Sequence, residues 1–162
     1  MWALALLLGG LLRSSEADTS AWHPVERAVY RAIQDTGLVV VHFWAPWCPN
    51  SQAELRQGWY RIIESHPDVR FLFVTIWSDG DDGRAVLERY AVGGQPNFQL
   101  LVLPGPSEKD RRQRRFMNLP VTWVPTTWIF RAGELRYAFN YGELRFAIFE
   151  QLLRDARQSW QH

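Results

Sequence analysis

Apolar and polar positions fall into blocks whose period changes along the chain. Residues 1–12 are almost wholly apolar, about the length of a signal-peptide core and short for a bilayer span. Ser15 and Ala17 then place small residues at the −3 and −1 positions of a cleavage site before Asp18. Residues 1–17 therefore read as a secretory signal, although no basic residue precedes the apolar run; left uncleaved, residues 1–12 would act as a membrane anchor. Val25, Ala28, Val29, Ala32 and Ile33 next repeat at helical spacing behind Pro24, and Gly37 ends that helix. Residues 38–44 form a continuous, largely β-branched run, the pattern of a strand covered on both faces.

A second helix is predicted over 49–65, with Leu55, Trp59, Ile62 and Ile63 on one stripe and Pro49 tolerated in its first turn. His66-Pro67-Asp68 breaks the pattern, and residues 69–76 read as another buried strand. The acidic turn at 79–83 leads into a short helix over 84–91, and 97–103 is a further extended segment. Polar loop sequence follows from Pro104 through the basic cluster at 108–115, which reads as a solvated helix or loop face. Residues 121–130 are a strand interrupted by Pro125, joined by a turn at 131–134 to an alternating segment at 135–139. Beyond Gly142, a last amphipathic helix carries Leu144, Ile148, Phe149, Leu152 and Leu153. Strand, helix, strand, helix, hairpin and helix argue for an α/β three-layer sandwich in residues 18–162, one domain without internal repeats.

Composition narrows the chemistry. A net charge of +1 gives no global reason to expect nucleic acid as a partner. The one cysteine, Cys48, excludes an intramolecular disulfide and any zinc site needing several thiolates. The histidines at 23, 42, 66 and 162 have no ligand spacing, and no phosphate-binding glycine loop occurs, so neither a metal nor a cofactor is expected.

Cys48 follows a strand and precedes a helix, between Pro46 and Pro49. A thiolate is the nucleophile in sulfur exchange, and unpaired N–H groups at a helix N-terminus favour that anion. The flanking prolines indicate a loop-to-helix corner, whereas a lone cysteine elsewhere is most often an inert core residue.

The segment Phe43-Trp44-Ala45-Pro46-Trp47-Cys48-Pro49-Asn50-Ser51 resembles the active-site segment of the thioredoxin superfamily, in which a strand, Trp-Cys-x-x-Cys and a helix follow one another. Val124-Pro125-Thr126-Thr127-Trp128-Ile129-Phe130, with Gly133 and a hairpin after it, is similar to that family's cis-proline strand pair, and the similarity spans roughly 25–158. Pro49 after the cysteine and Pro-Thr-Thr at the proline strand resemble the TlpA-like branch. The resemblance implies a thioredoxin-like sandwich with a central mixed β-sheet flanked by helices. It also implies a secreted or periplasmic location and a protein substrate or redox partner held through a mixed disulfide.

Carried over residue by residue, the resemblance makes Cys48 the nucleophile and places Trp47, Pro49, Val124 and Pro125 on the substrate side. A cis Pro125 would expose the Val124 backbone beside the thiol to an extended substrate. Glu54 stands where the branch commonly has an acidic residue, placed to assist proton movement or simply to face solvent. His42 replaces a buried Asp or Asn, as a proton shuttle or as a partner for a core backbone group. Ser51 replaces the resolving cysteine, leaving a residue able to hydrogen-bond a sulfur anion but unable to release a mixed disulfide. Arg56 stands where the branch often has proline. Two functions follow: a monothiol thiol-disulfide oxidoreductase, or a redox-inactive binding or chaperone-like module on the same fold.

Overall fold

The computed structural model describes residues 19–140 and 144–159. The signal and anchor expected at 1–17 and the break expected at Gly142 lie outside the described residues. Helix α1 (Pro24–Ile33) begins with Pro24 at its first position, where a missing N–H costs nothing. His23 Nδ1 accepts from the Val25 amide at 3.2 Å, and Glu26 Oε2 accepts from the His23 amide at 2.8 Å, closing a reciprocal cap. Glu26, a polar residue inside the predicted apolar pattern, is buried, and its other oxygen accepts from the Met117 amide at 2.6 Å.

The continuous run at 38–44 becomes β1 (Leu38–Trp44), buried at every residue. It sits at the centre of a five-stranded sheet ordered β3-β2-β1-β6-β7, formed with β2 (Val69–Thr75), β3 (Phe98–Val102), β6 (Thr126–Arg131) and β7 (Glu134–Phe139). The first three strands are parallel, β6 runs antiparallel to β1, and β7 turns back antiparallel to β6, so the sheet is mixed. Alternate β1 side chains therefore feed two cores. Val39, Val41 and Phe43 pack with α1 and with Phe116 and Met117 beside the small hairpin of β4 (Arg115–Phe116) and β5 (Leu119–Pro120). Val40 and Trp44 face the other way, toward residues of α2 (Pro49–Gln57), α3 (Trp59–Ser65), α4 (Arg84–Arg89) and α5 (Phe146–Ala156). This is the expected α/β sandwich.

The single helix predicted over 49–65 is two helices. Gly58 lies between α2 and α3 at φ 153°, outside helical geometry, so the apolar stripe resumes at Trp59 in a new direction. Trp59 is fully buried and meets Phe71, Phe73, Phe146 and Phe149 edge-on, joining α3, β2 and α5 in one aromatic cluster. In α5, Phe149 and Leu153 are buried as the periodicity requires, but Ile148 is exposed, beside an open groove bordered by β7. No helix among the described residues is long and apolar enough to cross a membrane.

Candidate active site

At the end of β1 the chain turns through Ala45-Pro46-Trp47, and the Cys48 amide donates to the Ala45 carbonyl at 3.0 Å. Cys48 is the N-cap residue of α2, its extended backbone preceding Pro49 at the first helical position, as the pattern requires. Its carbonyl accepts the first helical hydrogen bond from the Gln52 amide at 3.1 Å. The Gln52 side chain reaches back to the Pro46 carbonyl at 2.6 Å, holding the corner.

Across from this corner lies the loop before β6. The Cys48 thiol donates to the Val124 carbonyl at 3.6 Å, and the Val124–Pro125 peptide bond is cis. Cys48 is 7% exposed, so a partner sulfur must approach through the groove that opens beside it. The fold thus brings together Cys48, Trp47, Val124 and Pro125 from distant parts of the sequence. Pro49 is exposed at the helix start.

Cys48, Ser51 and Glu54 are spaced by three, so they follow one another along one side of α2. Ser51 is fully buried, and its hydroxyl oxygen accepts from the Ala45 amide at 3.4 Å. The Glu54 carboxyl is also buried, which removes the solvent-facing alternative for it. His42, fully buried on β1, faces it with Nε2 and Oε2 3.9 Å apart, too far for a hydrogen bond. Neither of those two atoms has a hydrogen-bond partner among the described residues. Burial pushes the Glu54 carboxyl up to about 8, with the Trp59 indole opposing weakly, and pushes the His42 imidazole down to about 3. At neutral pH the pair is a carboxylic acid beside a neutral imidazole. The other His42 nitrogen, Nδ1, lies 2.9 Å from Thr127 Oγ1 on β6, so a side-chain hydroxyl supplies the partner that a backbone group was expected to provide. Among the described residues, no hydrogen bond links this pair to the thiol.

The groove beside Cys48 has a volume of about 180 Å³. Its walls come from Trp47, Trp77 and Trp123 and from Lys109, Arg112 and Arg114 of the basic segment. The Trp47 indole donates to the Trp77 carbonyl at 2.6 Å, and the Trp77 indole donates to the Gln113 carbonyl at 2.8 Å. The Arg112 guanidinium carbon lies 4.9 Å from the centroids of both rings, and Arg112 Nε donates to the Ser107 carbonyl at 2.5 Å. The segment expected to be a solvated face is therefore partly docked against the thiol corner. Trp77, Trp123, Arg112 and Thr127 are additions to the sequence-based site. The basic cluster at 108–115 contains no aromatic residue, so nothing in the sequence signals that its cations meet tryptophan rings; that depends on where a long loop folds back.

A mixed sheet with helices on both sides, β1 leading through the Cys48 corner into α2, and β6–β7 closing as a hairpin, defines the thioredoxin-like class of α/β folds. The chain belongs to the thioredoxin-like domain family, whose family model matches residues 25–157. Over 79 residues it is 32% identical to the thiol:disulfide interchange protein DsbD of Pseudomonas fluorescens, a stretch covering 48% of this chain and 13% of that protein. The chain thus matches only a small part of that relative's length. Among solved structures, it is similar to a secreted Mycobacterium tuberculosis disulfide oxidoreductase homologous to E. coli DsbE, at TM-score 0.57 and 21% identity, over 76% of this chain and 85% of that one. A DsbF homologue from Corynebacterium diphtheriae aligns at TM-score 0.56 and 15% identity, over 76% and 74% of the two chains. These two likenesses are of fold.

Proposed function

We propose that this protein is a monothiol thiol-disulfide oxidoreductase acting on protein thiols and disulfides outside the cytoplasm through Cys48. One observation carries the reading: Cys48 is the N-cap residue of α2 and its thiol lies 3.6 Å from the Val124 carbonyl, beside an open groove. The 122–124 backbone offers an edge along which an extended substrate can lie. The Cys48 thiolate attacks one sulfur of the substrate disulfide. A new Sγ–S bond forms, the old S–S bond breaks, and the departing thiolate takes a proton from solvent. A thiolate from another molecule then attacks the substrate sulfur of the mixed disulfide. Cys48 leaves as thiolate, and the new disulfide joins the incoming sulfur to the substrate.

Ser51 supplies no second thiol, so release depends on that external partner. In this reading Glu54, six residues after Cys48, and His42 facing it from β1 serve as a neutral, proton-holding pair behind the thiol, and Trp47, Pro49, Val124 and Pro125 border the approach. The secreted likeness from Mycobacterium tuberculosis and the apolar run at 1–12 support a secreted or periplasmic location, with residues 1–17 as signal or, uncleaved, as anchor.

The test is to mix the protein with a peptide disulfide and follow the mass of Cys48. A covalent peptide adduct that accumulates, disappears on adding a small thiol, and is absent in Cys48→Ser is the expected result. A thiol that stays unmodified after prolonged exposure sinks the reading and favours the redox-inactive binding module.

A further inference from the structure

Lys109, Arg112 and Arg114 all border the groove beside Cys48, and no carboxylate borders it among the described residues. That imbalance is local, because the chain as a whole carries a net charge of only +1. Beside these cations Arg111 pairs with Glu108 at 3.6 Å, and neither residue lines the groove. Arg112 is fixed between the Trp47 and Trp77 rings and the Ser107 carbonyl, so its cation is oriented before any ligand arrives and loses little freedom on binding. Arg114 donates to the Lys109 carbonyl at 3.3 Å, which gathers both rim cations on the same turn of loop. Trp47 and Trp123 are 43% and 55% exposed, flat apolar walls of the kind that hold peptide side chains.

Size decides between a peptide and a small ligand. About 180 Å³ is well below the roughly 300–1,000 Å³ of a site that encloses a whole small molecule. It suits one or two side chains of a longer chain lying along residues 122–124. We propose that this groove selects substrate segments carrying Asp or Glu next to the cysteine that Cys48 attacks. The inference rests on the exchange chemistry proposed above, and adds to it the substrate class. The carboxylate of the flanking residue meets Lys109, Arg112 and Arg114 while the attacked sulfur sits over Cys48, so charge recognition and sulfur attack share one docking event. The covalent step is unchanged: the Sγ–S bond forms as the substrate S–S bond breaks.

Three peptide disulfides that differ only in Glu, Gln or Lys beside the cysteine test this. Adduct formation at Cys48 is expected to be fastest for Glu and slowest for Lys, about tenfold apart at low salt, with the gap closing as salt screens the groove. Arg114→Glu and Lys109→Glu, both on the rim, should flatten or reverse that order. Equal rates for the three peptides, or a preference that ignores both rim variants, would overturn the proposal. Failure of every peptide to react would count against the exchange reading, and the groove is then judged separately. Fluorescently labelled peptides with serine in place of cysteine are titrated into the Cys48→Ala protein. Tighter binding of the Glu peptide supports the selection, whereas equal binding or preference for Lys refutes it.

Discussion

Ser51 occupies the position at which a second sulfur would sit, fully buried one turn into α2 behind Cys48. Because helix geometry holds these two side chains on one side of α2, Ser51→Cys should create an intramolecular competitor for any adduct on Cys48. The lifetime of a Cys48–peptide mixed disulfide, followed by mass spectrometry in the absence of added thiol, is expected to shorten by at least about tenfold in that variant. An unchanged lifetime would mean that Ser51 is not positioned to resolve. The positions of Cys48, Val124 and Pro125 were legible in the sequence because local signals mark them: a strand end, a proline-flanked corner and a Pro-Thr-Thr strand start. Arg112 was not legible as a site residue. Its neighbours Trp47 and Trp77 come from two other loops, and a run of arginines carries the same pattern whether it is solvated or docked. His42 was placed in the core correctly, yet its partner on β6, Thr127, depends on strand register, which one strand's sequence does not contain.

At the scale of elements, two glycines mark where periodicity and structure part. The stripe Leu55, Trp59, Ile62, Ile63 reads as one helix because a break at Gly58 preserves the order of apolar residues while changing only their direction. Gly83 does a different job ahead of α4. It has φ +83°, and a Cβ added there would come within 2.4 Å of the Trp44 ring and 3.0 Å of the Pro46 ring. Asp81 Oδ1 accepts from its amide at 2.8 Å, and Asp82 Oδ1 accepts from the Arg84 amide at 2.9 Å, so the acidic turn read from sequence braces the entry to this helix, but the N-cap residue itself is Gly83 and not an aspartate. Gly83→Ala therefore combines left-handed strain with overpacking against the floor of the thiol corner. It should cost about 2–4 kcal/mol, seen as a lower urea midpoint. A midpoint within error of the parent would mean that Trp44 and Pro46 yield without cost.

Over the whole molecule, the neutral Glu54–His42 pair sets a pH window for stability. Folded Glu54 keeps its proton up to about pH 8, whereas an unfolded glutamate releases it near 4.5. Folded His42 refuses a proton down to about pH 3, whereas an unfolded histidine takes one near 6.5. From pH 6.5 to 8 the folded chain holds one more proton than the unfolded chain, so stability falls as pH rises, at about 1.4 kcal/mol per unit. From pH 4.5 down to 3 the unfolded chain holds one more, so stability falls as pH drops. Between 4.5 and 6.5 the two effects cancel, leaving a plateau. In Glu54→Gln only the histidine remains, and urea midpoints should rise up to about pH 6.5 and then stay level. A variant that keeps the alkaline decline would show that Glu54 is not its source. The sandwich itself was readable at this scale, since the five strands of the main sheet and the helices packed on it leave strong apolar patterns in the sequence. The pH window was not, because it depends on two side chains from different elements meeting without solvent.

The two oxygens of Glu26 grip separate pieces of chain: one caps α1 through the His23 amide, and the other holds the Met117 amide at the tip of the β4–β5 hairpin. That hairpin is the far anchor of the segment that brings Lys109, Arg112 and Arg114 to the groove. The proposed acidic selection would then depend on a carboxylate that does not line the groove. Glu26→Gln, which keeps the shape but weakens the grip on both amides, should loosen the tether. Capture of a Glu-flanked peptide by Cys48 should slow more than capture of a Gln-flanked one, and equal slowing in both rate measurements would show that only the helix cap was lost.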